Sequence, residues 1–248
     1  MVKFSIITPA KNAEKFIDKN IESVLKQKFA DFEHLIILNC NDFLTKQKIK
    51  KIKDSRIKLY IVQDDGPYDA MNFGISRSIG EFITVLNSDD YFSDNEVLQN
   101  ICDASYQEPL INYFYGNINI IRNNKIFRKW NSGCFIRYKF FLGWHPPHPS
   151  LFIKKKDLDF SEDIFDKRFK ISADYEFMLR YFVKYNKKAL YINKFLVTMR
   201  HGGLSSKSLR NIILSNIECY FAWCKNGYYF IFYICLIKPL KKLTQLIY

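Results

Sequence analysis

The segment Asp64–Asp90, DDGPYDAMNFGISRSIGEFITVLNSDD, constrains this chain more than any other. Phe82–Leu86 (FITVL) is apolar at successive positions, the pattern of a parallel strand buried on both faces. Asn87-Ser88-Asp89-Asp90 therefore leaves a buried strand at its carboxyl end, where open α/β sheets bind ligands. Two adjacent carboxylates there need cationic compensation, which a hard divalent ion carrying a diphosphate would supply. An acidic turn capping the next helix fits NSDD equally well.

The rest of the chain alternates strand and helix patterns. Phe4–Ile7, Leu35–Leu38 and Ile57–Val62 read as strands, with helices over about 13–28 and on the lysine-rich face of Lys46–Lys53. Tyr68–Ile79 reads as a helix with Asp69 and Asn72 one turn apart on one face. This alternation predicts right-handed βαβ units and a mainly parallel sheet flanked by helices. Beyond a helix at Glu96–Tyr106, the pattern becomes β-rich. Asn112–Ile121 and Lys125–Trp130 form a hairpin pattern around Asn123-Asn124, and further strands are expected at Leu151–Ile153 and Leu190–Phe195. Ser172 is an expected N-cap for a helix whose first turn holds Asp174 and Glu176.

The quoted motifs, in their order, resemble the family-2 glycosyltransferases. The resemblance runs from SIITPAKN (Ser5–Asn12) through DDGPYDAMNFGI and GEFITVLNSDDYF to HPSLFIKK, SADYEFMLR and HGGLSS (His201–Ser206). It implies a GT-A fold, a Rossmann-like α/β domain over 1–206. A donor half would span about 1–107 and an acceptor half about 108–206, with a helical tail at 207–248. It also implies an inverting sugar transfer from a nucleotide-sugar donor, a UDP-sugar being favoured, to a saccharide or lipid-linked acceptor in cell-surface polysaccharide or lipopolysaccharide synthesis. In that reading Pro9, Asn12, Asp64, Asp69, Asn72, Asn87, Asp89, His148, Gly202 and Gly203 face the donor. Asp90 holds Mn²⁺ or Mg²⁺, and Asp174 is the general base. The sequence departs from the pattern after the second strand, where Leu38 and Phe43 occupy the acidic positions of the base-binding turn. Asn39, Asn41 and Asp42 stand nearby as substitutes.

Three other readings remain open. A sugar nucleotidyltransferase would carry a glycine-rich, arginine-containing first loop, where this chain has TPAKN. A non-catalytic scaffold could keep the fold without turnover. A nucleic-acid module would suit the net charge of +13. Against the last, the aromatic residues fall within apolar periodic segments and no nucleic-acid signature is present, so no nucleic-acid partner is expected. Six cysteines without metal-ligand spacing fit a reducing, cytoplasmic setting. The tail carries Tyr228–Ile237 (YYFIFYICLI) flanked by Lys225, Lys238, Lys241 and Lys242, with no acid after Glu218. That composition suits peripheral attachment to an anionic inner membrane face, and packing on the core or in a homodimer is the alternative.

Overall fold

The computed structural model describes residues 2–203, 208–231 and 233–234. Its first half is a run of parallel strands: β1 (Phe4–Ala10), β2 (Phe32–Asn39), β3 (Ile57–Val62) and β4 (Phe82–Val85), in spatial order β3-β2-β1-β4. Helices α1 (Ile17–Leu25), α2 (Phe43–Ile49) and α3 (Pro67–Arg77) connect them. Alternate strand residues serve opposite faces, as the pleat requires. Ile7, Leu35 and Ile37 pack in the cluster that contains α3, whereas Ile36 and Leu38 pack against α1 and α2. Close seating of α3 depends on Gly74, where a Cβ would lie 2.5 Å from the Ile7 side chain.

After β5 (Tyr91–Phe92) and α4 (Val97–Gln107), the sheet continues through β6 (Tyr113–Arg122), β7 (Lys125–Trp130), β8 (Phe152–Lys154) and β9 (Ala189–Arg200). Here the pairing is mixed: β8 is antiparallel to β4 and β6, while β9 runs parallel to β6 and antiparallel to β5. The expected hairpin forms, with Arg122 opposite Lys125 and left-handed φ at both Asn123 and Asn124. Those angles suit a two-residue hairpin turn.

Several boundaries differ from expectation, each for a local reason. α1 starts four residues late because the Asn12 and Ala13 amides are drawn to the Asp42 carboxylate, and Ala13 also donates to Thr45. α2 starts early because Asp42 caps it, accepting from the Thr45 amide at 3.1 Å. β9 extends well beyond Phe195, and its far end reaches the acidic turn. The two-residue β5 has no periodic signal and was not anticipated.

Helix α5 (Ala173–Leu179) passes into a π-helical turn, and α6 (Leu209–Lys225) packs on it. Trp223 is fully buried, with its ring against Phe141 and Tyr228. Ile231 and Ile234 also join the core, so part of the apolar run expected to lie on a membrane is packed inside, while Tyr229 and Phe230 are exposed. Phe232 and residues 235–248, including Lys238, Lys241 and Lys242, lie outside the described residues, as do Leu204–Ser206.

Candidate active site

The carboxyl ends of the parallel strands carry most of the expected residues. The acidic turn after β4 is held from below by α1: Asn20 Nδ2 donates to the carbonyls of Asn87 and Asp90, both at 2.9 Å. Thr8 Oγ1 donates to the Leu86 carbonyl at 2.8 Å. Asp90 is buried, its carboxylate accepting from the Arg200 amide at 3.1 Å and Asn87 Nδ2 at 3.2 Å. Asp89 is half-buried and is the more open of the pair. Burial raises the carboxyl pKa of both, and for Asp90 the adjacent Asp89 raises it further, to well above the usual range. The Arg200 charge pulls the other way without offsetting this.

This donor set fits a divalent cation, since two crowded carboxylates raised by burial are what a bound positive charge relieves. Among the described residues no group of three or more His, Cys, Asp or Glu side chains stands together. The protein would therefore supply few ligands, leaving positions for phosphate oxygens and water.

A cleft of about 270 Å³ lies beside the end of β3, lined by Val62, Gln63, Asp64, Asp69, Asn72, Phe73, Ser76 and Asp163. Asp64 is fixed by Asn39 Nδ2 at 2.8 Å and by the Gly66 amide at 3.1 Å. Asn39 thus enters the site next to an expected donor residue, whereas Asp42 is spent on capping. Asp69 accepts from Lys167 at 3.1 Å. Both ends of the Asn72 amide engage the Phe165 backbone, donating at 2.7 Å and accepting at 2.9 Å. Asn72 therefore ties α3 to the loop before α5. A larger groove of about 450 Å³ between α1 and β5 contains none of the expected residues.

Asp174 is half-buried at the start of α5, with one oxygen 3.2 Å from the Tyr68 hydroxyl. Burial and the Asp174 charge push the Tyr68 phenol well above its usual pKa, so it remains a neutral donor. Glu176 lies wholly inside, paired with Arg180 at 3.3 Å and Lys225 at 3.1 Å. Residues two apart on a helix face differently, and the core takes Glu176. Ser172 occupies the N-cap position, but its hydroxyl meets Ser215 instead of capping the helix. His148 is buried against the Phe165 ring, with its pKa lowered by burial and opposed by the Asp174 charge. His145 packs on Trp130 and Tyr175.

Of the remaining expected residues, Pro9 is buried within β1 opposite Ile37, and Asn12 is exposed with a left-handed φ of 53°. Gly202, at φ 100°, and Gly203 are exposed beyond β9, and an added Cβ at either would meet nothing. Sequence reasoning missed Tyr68 and Arg200 as neighbours of the carboxylates, although Tyr68 lies inside a quoted motif and Arg200 immediately precedes another. Their roles depend on contacts across more than a hundred residues, which no local pattern encodes. No helix among the described residues is long and apolar enough to cross a membrane.

The sequence model of a family described as "Glycosyl transferase family 2" matches residues 5–158. The chain is 36% identical over 135 residues to the Escherichia coli UDP-Glc:alpha-D-GlcNAc-diphosphoundecaprenol beta-1,3-glucosyltransferase WfgD, a match covering 54% of this chain and 53% of that protein. It thus spans about half the length of that relative. The crystal structure of Staphylococcus aureus TarS 1–349 superposes with a TM-score of 0.72 at 17% identity, covering 98% of this chain and 72% of TarS 1–349. The corresponding TarS complex with UDP gives 0.65 at 20% identity, covering 87% and 65%. A Pyrobaculum calidifontis mannosyltransferase bound to GDP-Man and Mn²⁺ gives 0.57 at 9% identity, covering 98% and 75%. The expected GT-A architecture is the one found.

Proposed function

Because this chain belongs to glycosyl transferase family 2, we propose that it moves a sugar from a nucleotide-sugar donor, a UDP-sugar first among them, to a saccharide or lipid-linked acceptor. The observation that carries this reading is the pairing of a crowded acidic turn at the sheet's carboxyl edge with one half-buried carboxylate, Asp174, held by α3 of the donor half. WfgD acts on a diphosphoundecaprenol-linked sugar, and TarS has been crystallised with UDP; both support the choice of donor and acceptor class.

In this reading Asp64, Asp69 and Asn72 line the nucleotide cleft, Asn39 holds Asp64 from behind, and Asn87, Pro9 and Asn12 lie along the neighbouring strand ends. Asp89 and Asp90 would hold Mn²⁺ or Mg²⁺, with Asp89 the more accessible carboxylate. When bound, the ion neutralises charge on the departing diphosphate. Asp174 accepts the proton of the acceptor hydroxyl as that oxygen attacks the anomeric carbon, beside the Tyr68 hydroxyl, whose single proton is shared between the Ile171 carbonyl and this carboxylate. A single displacement with inversion is what the family resemblance implies, and one base with no assigned covalent nucleophile suits it. Gly202 and Gly203, exposed beyond β9 and without side chains, would let the backbone approach phosphate oxygens closely, and His148 backs the Asp174 side of the site.

The exposed side of α6 presents Leu209, Ile213, Ile217 and Phe221 at four-residue spacing, and Tyr229 and Phe230 follow. Its one carboxylate, Glu218, is turned inward. This apolar, acid-free face supports seating on an anionic membrane at its cytoplasmic side, where a lipid-linked acceptor would be met.

The test is a thermal-shift and turnover panel of UDP-, GDP- and CMP-sugars with and without Mn²⁺. Metal-dependent protection by one nucleotide, with release of that nucleotide from its sugar, is the expected outcome. Protection by single-stranded nucleic acid alone would remove the transferase reading.

A further inference from the structure

Helix α6 does more than cover the core beneath α5. Its Glu218 carboxylate is only 7% exposed. It accepts three consecutive amides, from Lys170 at 2.8 Å, Ile171 at 2.9 Å and Ser172 at 2.8 Å. These are the last residues before α5 and its Asp174. The Ile171 peptide is held from both sides, because its carbonyl accepts from the Tyr68 hydroxyl at 2.6 Å. That same hydroxyl is the one 3.2 Å from Asp174. Other α6 contacts lie around this clasp: Ser172 with Ser215, Tyr175 with Trp223, and Glu176 with Lys225 and Asn226.

A carboxylate taken out of water needs strong compensation, and three amides aimed at it supply that. The same three amides precede the helix and have no partner in its hydrogen-bond ladder, so the Glu218 carboxylate is what satisfies them. We propose that Glu218 is a positioning residue: by clamping amides 170–172 against Tyr68, it sets the orientation of Asp174 toward the acceptor. The proposal rests on Asp174 being the base. It places α6 within the working enzyme, although the match to the family ends at residue 158. A displaced base loses rate steeply, because about 1 Å of misplacement can cost roughly a hundredfold. The donor's nucleotide, bound at the other strand ends, is left alone.

The experiment uses the full chain with Glu218→Gln, Glu218→Asp and Asp174→Asn, singly and with Glu218→Gln combined with Asp174→Asn. Turnover is read as UDP release from whichever of UDP-glucose and UDP-N-acetylglucosamine the unsubstituted protein consumes. Affinity is read with UDP by calorimetry, and amide exchange is followed over residues 168–176. Glu218→Gln should lower kcat at least tenfold, keep UDP affinity within twofold and speed exchange at 170–172. Glu218→Asp, which keeps the charge on a shorter arm, should recover part of kcat, and it carries the test if the Gln variant does not fold. In the Asp174→Asn background the Glu218 change should have little further effect on kcat. Unchanged kcat in Glu218→Gln, or a loss of kcat matched by a loss of UDP affinity, overturns the proposal. Full turnover in Asp174→Asn overturns the base reading, and it is read from a separate variant.

Discussion

The hydroxyl of Tyr68 sits 3.2 Å from the carboxylate of Asp174, so the first turn of α3 touches the first turn of α5 across the site. One belongs to the cleft formed at the ends of the parallel strands, the other to the mixed half of the sheet. The hydroxyl's one proton is shared with the Ile171 carbonyl at 2.6 Å, and Asp174 faces this contact while Glu176, two residues on, is paired inside with Arg180 and Lys225.

That separation makes a first prediction. Asp174→Asn should retain UDP binding and lose turnover by roughly a hundred- to ten-thousandfold, the usual cost of a missing proton acceptor. Glu176→Gln should show instead in stability. It breaks buried pairs with Arg180 and Lys225, a change that typically costs about 3–5 kcal/mol. Urea unfolding and single-turnover kinetics on the two variants distinguish these outcomes, and the opposite ranking would move the base to Glu176.

A second concerns the acidic turn. Asp90 is held against Asp89 in a buried setting that disfavours its charge. Asp90→Asn should therefore leave the metal-free protein at least as stable as before, while abolishing the extra stability conferred by Mn²⁺ with UDP. Asp89→Asn should also abolish the metal effect. Melting curves with and without Mn²⁺ and UDP check both, and a full metal-dependent shift in either variant would count against the pair as ligands.

A third follows from His34, a fully buried residue of β2, where burial lowers its pKa from 6.5 to about 3. Its Nε2 lies 2.9 Å from Thr8 Oγ1, whose proton goes to the Leu86 carbonyl, and Nδ1 has no partner. A depressed folded pKa means that the unfolded chain takes up the proton first. Stability is then fully present above about pH 6.5 and lost as pH falls toward 3, at about 1.4 kcal/mol per pH unit for one proton. His34→Met should flatten the pH dependence of unfolding free energy between pH 6 and 4 by up to that slope. An unchanged slope would show that His34 does not titrate on unfolding.

A fourth addresses the outer face of α6. Ile213→Glu with Phe221→Glu should abolish flotation with anionic vesicles and leave the melting temperature nearly unchanged, because both side chains are largely exposed. Truncation before Gly227 should behave differently. It removes Ile231 and Ile234 from the core, so stability falls along with any membrane binding. Equal flotation of the double variant and the unsubstituted protein would exclude this face as the contact.

Much of the architecture was readable because its signals are local. FITVL followed by NSDD located both a buried strand and the carboxylates at its end, and Asn123-Asn124 marked a hairpin by residues that tolerate left-handed φ. What remained hidden depends on long-range pairing. Nothing near Tyr68 announces Asp174, and nothing near Glu218 announces the amides of 170–172. The two residues of β5 are too few for any period. The tail's composition suggested a membrane anchor, yet Ile231 and Ile234 entered the core, because apolar runs do not reveal which apolar medium receives them.

Strand β9 has a consequence for how the molecule could be divided. It begins beside Tyr113 in the mixed part of the sheet and ends where the Arg200 amide meets Asp90. A fragment stopping at Gln107 would leave β5 unpaired and the buried Asp90 carboxylate without its amide. The two halves are therefore not interchangeable cassettes. A chimera that grafts a foreign second half onto the parallel-stranded first half must bring an equivalent of Thr198–Arg200 with it, or the acidic turn will lose its wall.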